Sequence, residues 1–319
     1  MGIPADNLGR LLLNLLLIGL TGAPLAVAAA ALSGLGHRWV DILAQFPAPA
    51  LWAALALMIG ALVLRLWPAA TVAAIASLAC LIAVWPQWRP DAPRPDPAAP
   101  AVTLYFANLY MGNEDATSVA RSITASQADV VVLVEMSDAL ADQADQVLAD
   151  YPHRLLDRRA RGPRGDRIVV ASRTPLTPHR VTGSELIAAT ATVQTALGPI
   201  DVFGAHLTRP WPYQFQWAQI IQTMQLTDNV RRAAHPAVVA GDFNSVSSAR
   251  IGRQVQADMG LVAAPGWPGT WPARAPAPIG LTIDQVYHDR RLAVVDRRLG
   301  LPTGSDHRPV IVRLSRALP

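Results

Sequence analysis

Apolar residues divide the chain into two parts at about residue 88. Before that point, three long apolar runs cover residues 11–32, 46–66 and 69–85, and charged residues are scarce. Runs of this length predict α-helices that can cross a lipid bilayer. Tryptophan, proline and arginine cluster where the second and third runs end, as expected at a membrane surface. We therefore predict a transmembrane region of three helices over residues 1–88.

Two alternatives to this arrangement stay open. The third run is short, so a version with two membrane helices also fits the pattern. The first run could instead be a cleaved signal peptide, with Arg10 as its basic flank and small residues at 26–31. Because further apolar runs follow immediately, we favour the membrane region.

The orientation of the three helices is set by their number more than by charge. With the N-terminus inside, Arg10 and Arg65 lie in the cytoplasm, whereas Arg38, Arg89 and Arg94 lie outside. This distribution is close to a tie under the positive-inside rule. An odd number of spans places the residues after 90 outside the cytoplasm. We therefore expect a multi-pass protein of the inner (cytoplasmic) membrane with an extracytoplasmic domain.

Residues 89–100 are rich in proline and are predicted to form an extended, semi-rigid linker. Beyond it, residues 101–319 alternate short apolar runs typical of strands with segments typical of helices. The predicted strands cover 101–107, 129–134, 167–171, 188–195, 200–204, 238–240, 281–287 and 310–314, and the predicted helices cover 118–126, 139–149 and 217–233. This alternation predicts an α/β domain with packed sheets.

Composition narrows the function only slightly. The 319 residues carry a net charge of +4, and every basic residue is arginine. A charge this small argues against a non-specific nuclease with a strongly basic surface. Cys80, which lies in an apolar run, is the single cysteine. Because there is only one, an intrachain disulfide and a zinc–thiolate site are excluded.

Polar side chains accompany the predicted strands at the points where most of them end. Asn108 follows the run at 101–107, Glu135 follows the run at 129–134, and His206 follows the run at 200–204. The other candidates are Asp242 and Asn244 after the next strand, Asp284 within a strand, and Asp306 and His307 before the last one. Asp, Asn and His together suit a hard divalent cation and a phosphate group. The sequence therefore predicts a metal-dependent phosphoesterase.

The order of these residues resembles the endonuclease/exonuclease/phosphatase superfamily over about residues 102–314. The paired motifs Gly241-Asp242-Phe243-Asn244 and Ser305-Asp306-His307 carry the resemblance. It implies that family's α/β fold, a four-layer α/β/β/α sandwich of deoxyribonuclease type, here preceded by an α-helical transmembrane region. The membrane region also resembles that of a bacterial subgroup, some of whose members are linked to glycopeptide resistance and to lipid-linked pyrophosphate turnover.

The resemblance implies a metal site and its ligands. Glu135 matches the carboxylate that holds the metal, and Asn108 matches an Asn beside the metal and the phosphate. Asp306 is either a second metal ligand or an acid behind the ligands. The cofactor implied by this set is Mg²⁺ or Mn²⁺.

The resemblance also implies the catalytic roles. Asp242 matches the residue that orients or deprotonates the attacking water, and Asn244 the residue that holds the adjacent phosphate oxygen or that water. His307, oriented by Asp284, would donate to a non-bridging oxygen. His206 matches a His that faces the phosphate and could protonate the leaving group.

Each of these residues also has an explanation without catalysis. Asp242 alone is consistent with a turn, Glu135 with the end of a strand, and Asp284 with a surface acid. The presence of all of them in the family's order favours catalysis. The chain departs from the family at Val134, where Gln is frequent, and it has no Tyr matched to that of apurinic endonucleases near His206, which disfavours that activity.

Two features bear on the substrate. Aromatic loops at 211–213 and 267–272 could line a cleft, enter the membrane interface, or simply pack. A basic segment could face anionic headgroups or a pyrophosphate, or be an ordinary solvated loop, and it comprises Arg154, Arg158, Arg159, Arg161, Arg164 and Arg167.

We predict a phosphatase or phosphodiesterase that acts at a lipid bilayer on a phosphate ester or pyrophosphate, with a lipid-linked substrate favoured. The first alternative is a tethered, exported endonuclease or exonuclease that acts on nucleic acid. The second is a membrane-binding module that has lost catalysis, which the complete set of candidate residues disfavours.

Overall fold

The chain divides into two units. The first is a group of helices up to Trp88, together with the short segment Ser248–Arg250, and the second is a larger group of strands and helices formed by the remaining residues from Arg89 onward. The computed structural model describes residues 5–156, 167–210 and 216–318. All the strands that it describes lie in the second unit, where short apolar runs replace the long ones.

The N-terminal unit consists of α1 (Ala5–Ser33), α2 (Arg38–Leu43), α3 (Pro47–Val63) and α4 (Trp67–Trp88). Two stretches in it are long and apolar enough to cross a membrane, Asn7–Ser33 and Trp67–Trp88, whereas α3 is apolar but has only 17 residues. The sequence suggested that the third apolar run is the short one. Among the three long helices of the structure, the shortest is instead the middle one, α3. The run predicted at 46–66 is cut short because Arg65 takes a left-handed φ of 55° in the turn before α4.

Two polar side chains on α1 bind the turn between α3 and α4. Arg10 donates to the carbonyl oxygens of Leu64 and Arg65 at 3.4 and 3.1 Å. Asn14 accepts from the backbone N–H of Ala69 at 3.0 Å. These bonds satisfy backbone groups that the end of one helix and the start of the next leave unpaired. The N-terminal part of α1 therefore lies at the same end of the helical unit as the α3–α4 turn.

The predicted linker is partly built into the second unit. The backbone N–H of Leu318 donates to the carbonyl of Arg94 at 2.9 Å, and that of Asp96 donates to the carbonyl of Arg316 at 2.9 Å. Pro95 and Ala317 form an isolated antiparallel bridge between these two bonds. The segment is extended, as its proline content predicts, but residues 94–96 are fixed to the C-terminal end of the chain.

The described residues of the second unit form two six-stranded sheets. The strands are β1 (Ala101–Asn108), β2 (Val130–Val134), β3 (His153–Leu156), β4 (Val169–Ser172), β5 (Leu176–His179), β6 (Ile187–Thr195), β7 (Gly198–His206), β8 (Ala237–Asp242), β9 (Leu261–Ala263), β10 (Asp284–Asp289), β11 (Leu292–Leu299) and β12 (Val310–Arg316). The first sheet has the order β11-β12-β1-β2-β4-β3, and the second has the order β5-β6-β7-β8-β10-β9.

Helices cover the outer faces of both sheets, and they are α5 (Ala116–Ser126), α6 (Asp138–Asp142), α7 (Ala144–Val147), α8 (Gln216–Val230) and α9 (Arg250–Met259). Strand β2 is an example of a strand covered on both faces. Its residues Val130, Val132 and Val134 pack into the core between the sheets. The alternate residues Val131 and Leu133 pack toward helices. A strand buried on both faces needs an apolar side chain at every position. The predicted four-layer α/β/β/α sandwich is confirmed.

Parallel neighbours in each sheet bring the ends of strands from distant parts of the sequence together. In the first sheet, Asn108 of β1 is opposite Val134 of β2, so Glu135 follows directly beside it. In the second sheet, His206 of β7 is opposite Asp242 at the end of the parallel strand β8, and Asp242 is opposite Asp284, which begins the antiparallel strand β10. The two sheets therefore present their polar residues at corresponding strand ends.

Candidate active site

The amide of Asn108 connects the two carboxylates at the centre of the site. Its Nδ2 donates to Glu135 Oε1 at 2.9 Å and to Asp242 Oδ2 at 3.0 Å, while its Oδ1 accepts from the backbone N–H of Tyr110 at 2.9 Å. Asn108 therefore offers an N–H to the centre of the site, and not the oxygen that a direct metal ligand would supply. It holds together two acids that belong to different sheets.

Glu135 begins the loop after β2 in a left-handed conformation, with φ of 53°. Its Oε2 accepts from the backbone N–H of Met111 at 3.3 Å. His206 Nε2 lies 3.4 Å from Glu135 Oε1 and 3.9 Å from Asp242 Oδ2. The ligand atoms of Glu135, His206 and Asp242 all lie within 4.8 Å of one another, which is close enough to share one metal ion.

Asp284 and His307 form a buried pair. His307 Nδ1 lies 3.0 and 2.9 Å from the two carboxylate oxygens of Asp284, and His307 Nε2 lies 3.8 Å from Asp242 Oδ2. Asp284 is 1% exposed. A carboxylate on Nδ1 fixes the orientation of the imidazole ring and directs its Nε2 toward Asp242.

The charges of this cluster shift the pKa values of its members. Burial raises the pKa of Asp242 to about 6, against the opposing effects of His307 and His206. Burial lowers the pKa of His307, but the charge and hydrogen bond of Asp284, together with Asp242, outweigh it and raise the pKa to about 10. Asp242 is thus a base whose pKa is close to neutral pH, and His307 carries a proton at that pH.

Asn244 lies in the turn after β8 with a left-handed φ of 48°. Its backbone N–H donates to Asp242 Oδ1 at 2.8 Å, and its Nδ2 donates to the carbonyl of Leu207 at 2.9 Å. One Asp242 oxygen is therefore committed to the turn, while the other faces Asn108, His206 and His307. To contact the phosphate or the water as predicted, Asn244 would use its Oδ1, or its side chain would first leave the Leu207 carbonyl.

Asp306 is placed apart from the other candidates. It is exposed, and its Oδ2 accepts from the indole N–H of Trp271 at 3.2 Å. Among the residues that the structure describes, both groups able to hold a metal omit Asp306. The structure thus brings together Asn108, Glu135, His206, Asp242, Asp284 and His307, with Asn244 next to them, and leaves Asp306 at the edge.

The backbone N–H groups of Tyr110 and Met111, which bind Asn108 and Glu135, were not foreseen from the sequence. Every residue except proline carries such a group, so no residue type marks the loop that supplies it.

The structure describes only part of the basic segment and of the two aromatic loops that bear on the substrate. Residues 158–164 of the basic segment and the aromatic residues 211–213 lie outside the described residues. Arg154 is paired with Asp145 at 2.5 Å, and Arg167 is paired with Asp138, so neither offers an uncompensated charge. In the other aromatic loop, Trp267 is 47% exposed.

Residues 106–307 match the Endonuclease/Exonuclease/phosphatase family. The chain belongs to this family. Its members are hydrolases that act on phosphate esters and generally use divalent metal ions, so the predicted phosphoesterase is confirmed at that level. The donor set fits such a cofactor: Glu135 and Asp242 converge with a His, and burial disfavours the charge of Asp242 unless a cation lies nearby.

Solved structures of the endonuclease/exonuclease/phosphatase family have the same fold. A family protein from Beutenbergia cavernae is 20% identical, with 68% of this chain and 72% of that chain covered and a TM-score of 0.53. The human Nocturnin catalytic domain with bound sulfate is 17% identical (68% and 94% covered, TM-score 0.54). A mannosyl-6-phosphatase from Bacteroides thetaiotaomicron is 15% identical (67% and 99% covered, TM-score 0.51). No curated protein sequence matches the chain significantly.

Proposed function

We propose that this protein is a membrane-anchored, metal-dependent phosphoesterase that hydrolyses a phosphate ester or pyrophosphate carried on a lipid. The observation that carries the proposal is the convergence of Glu135, Asp242 and the Asp284–His307 pair on one chain with long apolar helices. The resemblance of the membrane region to the subgroup linked to lipid-linked pyrophosphate turnover and glycopeptide resistance supports the choice of substrate.

In this proposal Asp242 orients the attacking water and takes its proton. Its Oδ1 is held by the backbone N–H of Asn244, so its Oδ2 faces the centre of the site. The pKa of about 6 allows Asp242 to be ionised at neutral pH and still to be an effective base. Asn108 holds that same oxygen at 3.0 Å and restricts where the water can bind.

His307 donates a hydrogen bond to a non-bridging phosphoryl oxygen. It carries a proton because Asp284 accepts from its Nδ1, and the same contact keeps its Nε2 facing the site. A fixed donor of this kind stabilises charge that develops during the reaction. His206, the last residue of β7, has its Nε2 3.4 Å from Glu135 Oε1 and would protonate the leaving oxygen.

Glu135 would hold Mg²⁺ or Mn²⁺ beside Asp242 and His206, and that cation would neutralise negative charge on the phosphoryl group. Asn108 would contribute by keeping the Glu135 and Asp242 carboxylates together. Asp306, which is exposed and bound to Trp271, would reach the site only after its side chain rotated.

The proposed location is the cytoplasmic membrane, with the catalytic unit outside the cytoplasm. Helices α1, α3 and α4 would span the bilayer, with α3 close to the minimum length for a span. The bonds from Arg10 to the carbonyls at the α3–α4 turn support this arrangement, because they place Arg10 and Arg65 at one end of the bundle. With the N-terminus inside, both arginines lie in the cytoplasm and Arg38, Arg89 and Arg94 lie outside, so the proposed orientation rests on the odd number of spans and not on charge.

The test is phosphate release by the purified full-length protein in detergent micelles with Mg²⁺. A polyprenyl pyrophosphate and plasmid DNA are the competing substrates, and Asp242→Ala is the control. Release from the lipid that disappears in the variant would support the proposal. Cleavage of DNA without lipid turnover would move the protein to the tethered-nuclease alternative, and failure to bind any divalent cation would favour a non-catalytic module.

A further inference from the structure

The loop between β1 and α5 supplies the hydrogen bonds that orient the metal side of the site. The backbone N–H of Tyr110 donates to Asn108 Oδ1 at 2.9 Å, and that of Met111 donates to Glu135 Oε2 at 3.3 Å. Since a backbone N–H can only donate, it selects the oxygen of the Asn108 amide. The Nδ2 of Asn108 is thereby directed at Glu135 and Asp242. The position of this loop therefore decides how the central amide is oriented.

Asn113 anchors this loop to its surroundings. Its side chain is buried, with 7% exposure, and its Nδ2 donates to the carbonyl of Thr303 at 2.8 Å. Its own carbonyl accepts from the hydroxyl of Ser137 at 2.7 Å. Its Oδ1 accepts from the backbone N–H of Asp115 at 3.0 Å, and its backbone N–H donates to the carbonyl of Tyr110 at 2.8 Å. All of its polar groups are therefore satisfied.

These contacts join three loops that each carry a candidate catalytic residue. Asn113 itself follows Asn108 by five positions, Ser137 follows Glu135 by two, and Thr303 precedes His307 by four. We infer that Asn113 is a positioning residue, which holds the Asn108, Glu135 and His307 loops in one arrangement. Its effect on hydrolysis and on metal affinity rests on the proposed function, whereas its effect on the three loops does not.

The fit around Asn113 is tight on the side of the His307 loop. Gly304 has a φ of +86°, and a Cβ there would lie 2.9 Å from Asn113 Oδ1. The backbone of that loop therefore approaches the amide as closely as glycine allows. The Asn113→Asp variant keeps the shape and Oδ1 but loses the N–H donor to Thr303, where it places two acceptors face to face. It removes the link between loops with little change in volume.

Asn229 offers a matched control. It is 9% exposed, its Nδ2 donates to the carbonyls of Thr182 and Gln225 at 2.7 Å each, and its Oδ1 accepts from the backbone N–H of Thr182 at 3.0 Å. It lies near the C-terminal end of α8, about 15 Å of helix rise from Gln219, which bonds the carbonyl of Phe243 near the site. Asn229→Ala therefore removes the hydrogen bonds of a similarly buried asparagine that is remote from the candidate residues.

The experiment compares wild type, Asn113→Asp, Asn113→Ala and Asn229→Ala as full-length proteins in detergent micelles. Mg²⁺ affinity is measured by titration calorimetry, and kcat and KM are measured on the substrate that the wild type hydrolyses. Both Asn113 variants should bind Mg²⁺ about 10- to 100-fold more weakly and lose kcat by a similar factor with little change in KM. Asn229→Ala should lose thermal stability alone. Wild-type affinity and kcat in both Asn113 variants would overturn the inference.

Hydrogen–deuterium exchange separates this inference from the proposed function. In Asn113→Asp, amide exchange should speed up together in residues 109–113, 135–137 and 303–307, and it should stay unchanged there in Asn229→Ala. Faster exchange confined to residues 109–113 would contradict the joining of three loops. If the wild type bound no divalent cation, the proposed function would fail, and this exchange comparison alone would decide the role of Asn113.

Discussion

Replacing Asp284 by Asn tests whether the buried Asp284–His307 pair does what its geometry implies. Asp284 Oδ1 and Oδ2 lie 3.0 and 2.9 Å from His307 Nδ1, and Asp284 is 1% exposed. The variant keeps the volume and one acceptor oxygen but removes the negative charge. His307 should then lose both its fixed orientation and the partner that keeps it protonated.

The magnitude follows from the pKa of His307. Its rise from an ordinary 6.5 to about 10, in which Asp284 provides the largest favourable contribution, corresponds to roughly 5 kcal/mol in favour of the protonated ring. We expect Asp284→Asn to lower the free energy of unfolding by about 3 kcal/mol at pH 7, as for other buried pairs that lose one partner. In catalysis, the loss of a carboxylate that orients a histidine lowers kcat by about 10²- to 10⁴-fold.

The pH dependence has a definite sign. Because the folded pKa of His307 exceeds its unfolded value of 6.5, its stabilisation is complete below pH 6.5 and is lost as the pH rises toward about 10. The wild type and Asp284→Asn should therefore differ most in melting temperature just below pH 6.5 and converge toward pH 10. The measurement uses thermal unfolding of the full-length protein in EDTA, because a bound cation would add its own charge.

Asp289→Asn is the control, because Asp289 is on the same strand β10 but pairs with the exposed Arg291. It should change the free energy of unfolding by less than about 1 kcal/mol and leave kcat unchanged. Equal stability of Asp284→Asn and wild type across pH 6 to 10 would refute the charge pair. An unchanged kcat in Asp284→Asn would refute the role of the pair in catalysis.

Three further substitutions test other parts of the structure. Glu135→Gln should weaken Mg²⁺ binding by at least about 100-fold in titration calorimetry, because it removes the charge of the carboxylate proposed to hold the cation, and it should lower the free energy of unfolding in EDTA by about 1 kcal/mol, because one of the two hydrogen bonds to Glu135 is lost. Gly241→Ala should lower the free energy of unfolding in urea by about 3 kcal/mol or more, since its Cβ would lie 2.1 Å from the Ala205 carbonyl oxygen. Tyr151→Phe should cost about 1 to 2 kcal/mol in the same assay, because its buried hydroxyl donates to the Ala128 carbonyl at 2.8 Å, and kcat should not change.

The predicted strands that match the structure best are those with continuous apolar runs. The run at 129–134 becomes β2 at Val130–Val134 because every side chain there is buried on one face or the other. The helix predicted over 139–149 is instead two short helices, since Gln143 leaves the helical conformation and ends α6. Strand β11 was not predicted, because a bulge between Val294 and Asp296 breaks its alternation and it carries charged residues along an edge.

For the site, residue types and order could be inferred from the sequence, but orientation could not. Asp284 was expected in mid-strand, yet it begins β10, because Leu281 instead pairs with Trp271 in the segment that precedes the strand. Nothing local to Asp306 indicates that its side chain binds the Trp271 indole while its neighbour His307 faces the site. The direction of the Asn108 amide likewise depends on the backbone of Tyr110. These features are fixed by tertiary contacts, which local sequence patterns do not encode.

The attachment of residues 94–96 to residues 316–318 decides where the chain can be cut for work on the catalytic unit alone. A fragment that begins at residue 98 would lack Arg94, Pro95 and Asp96, and so would lose two backbone hydrogen bonds and the bridge to Ala317. The exposed end of β12 would then offer unpaired backbone groups to other copies, which favours aggregation. A fragment that begins at residue 90 keeps these contacts and omits the apolar helices.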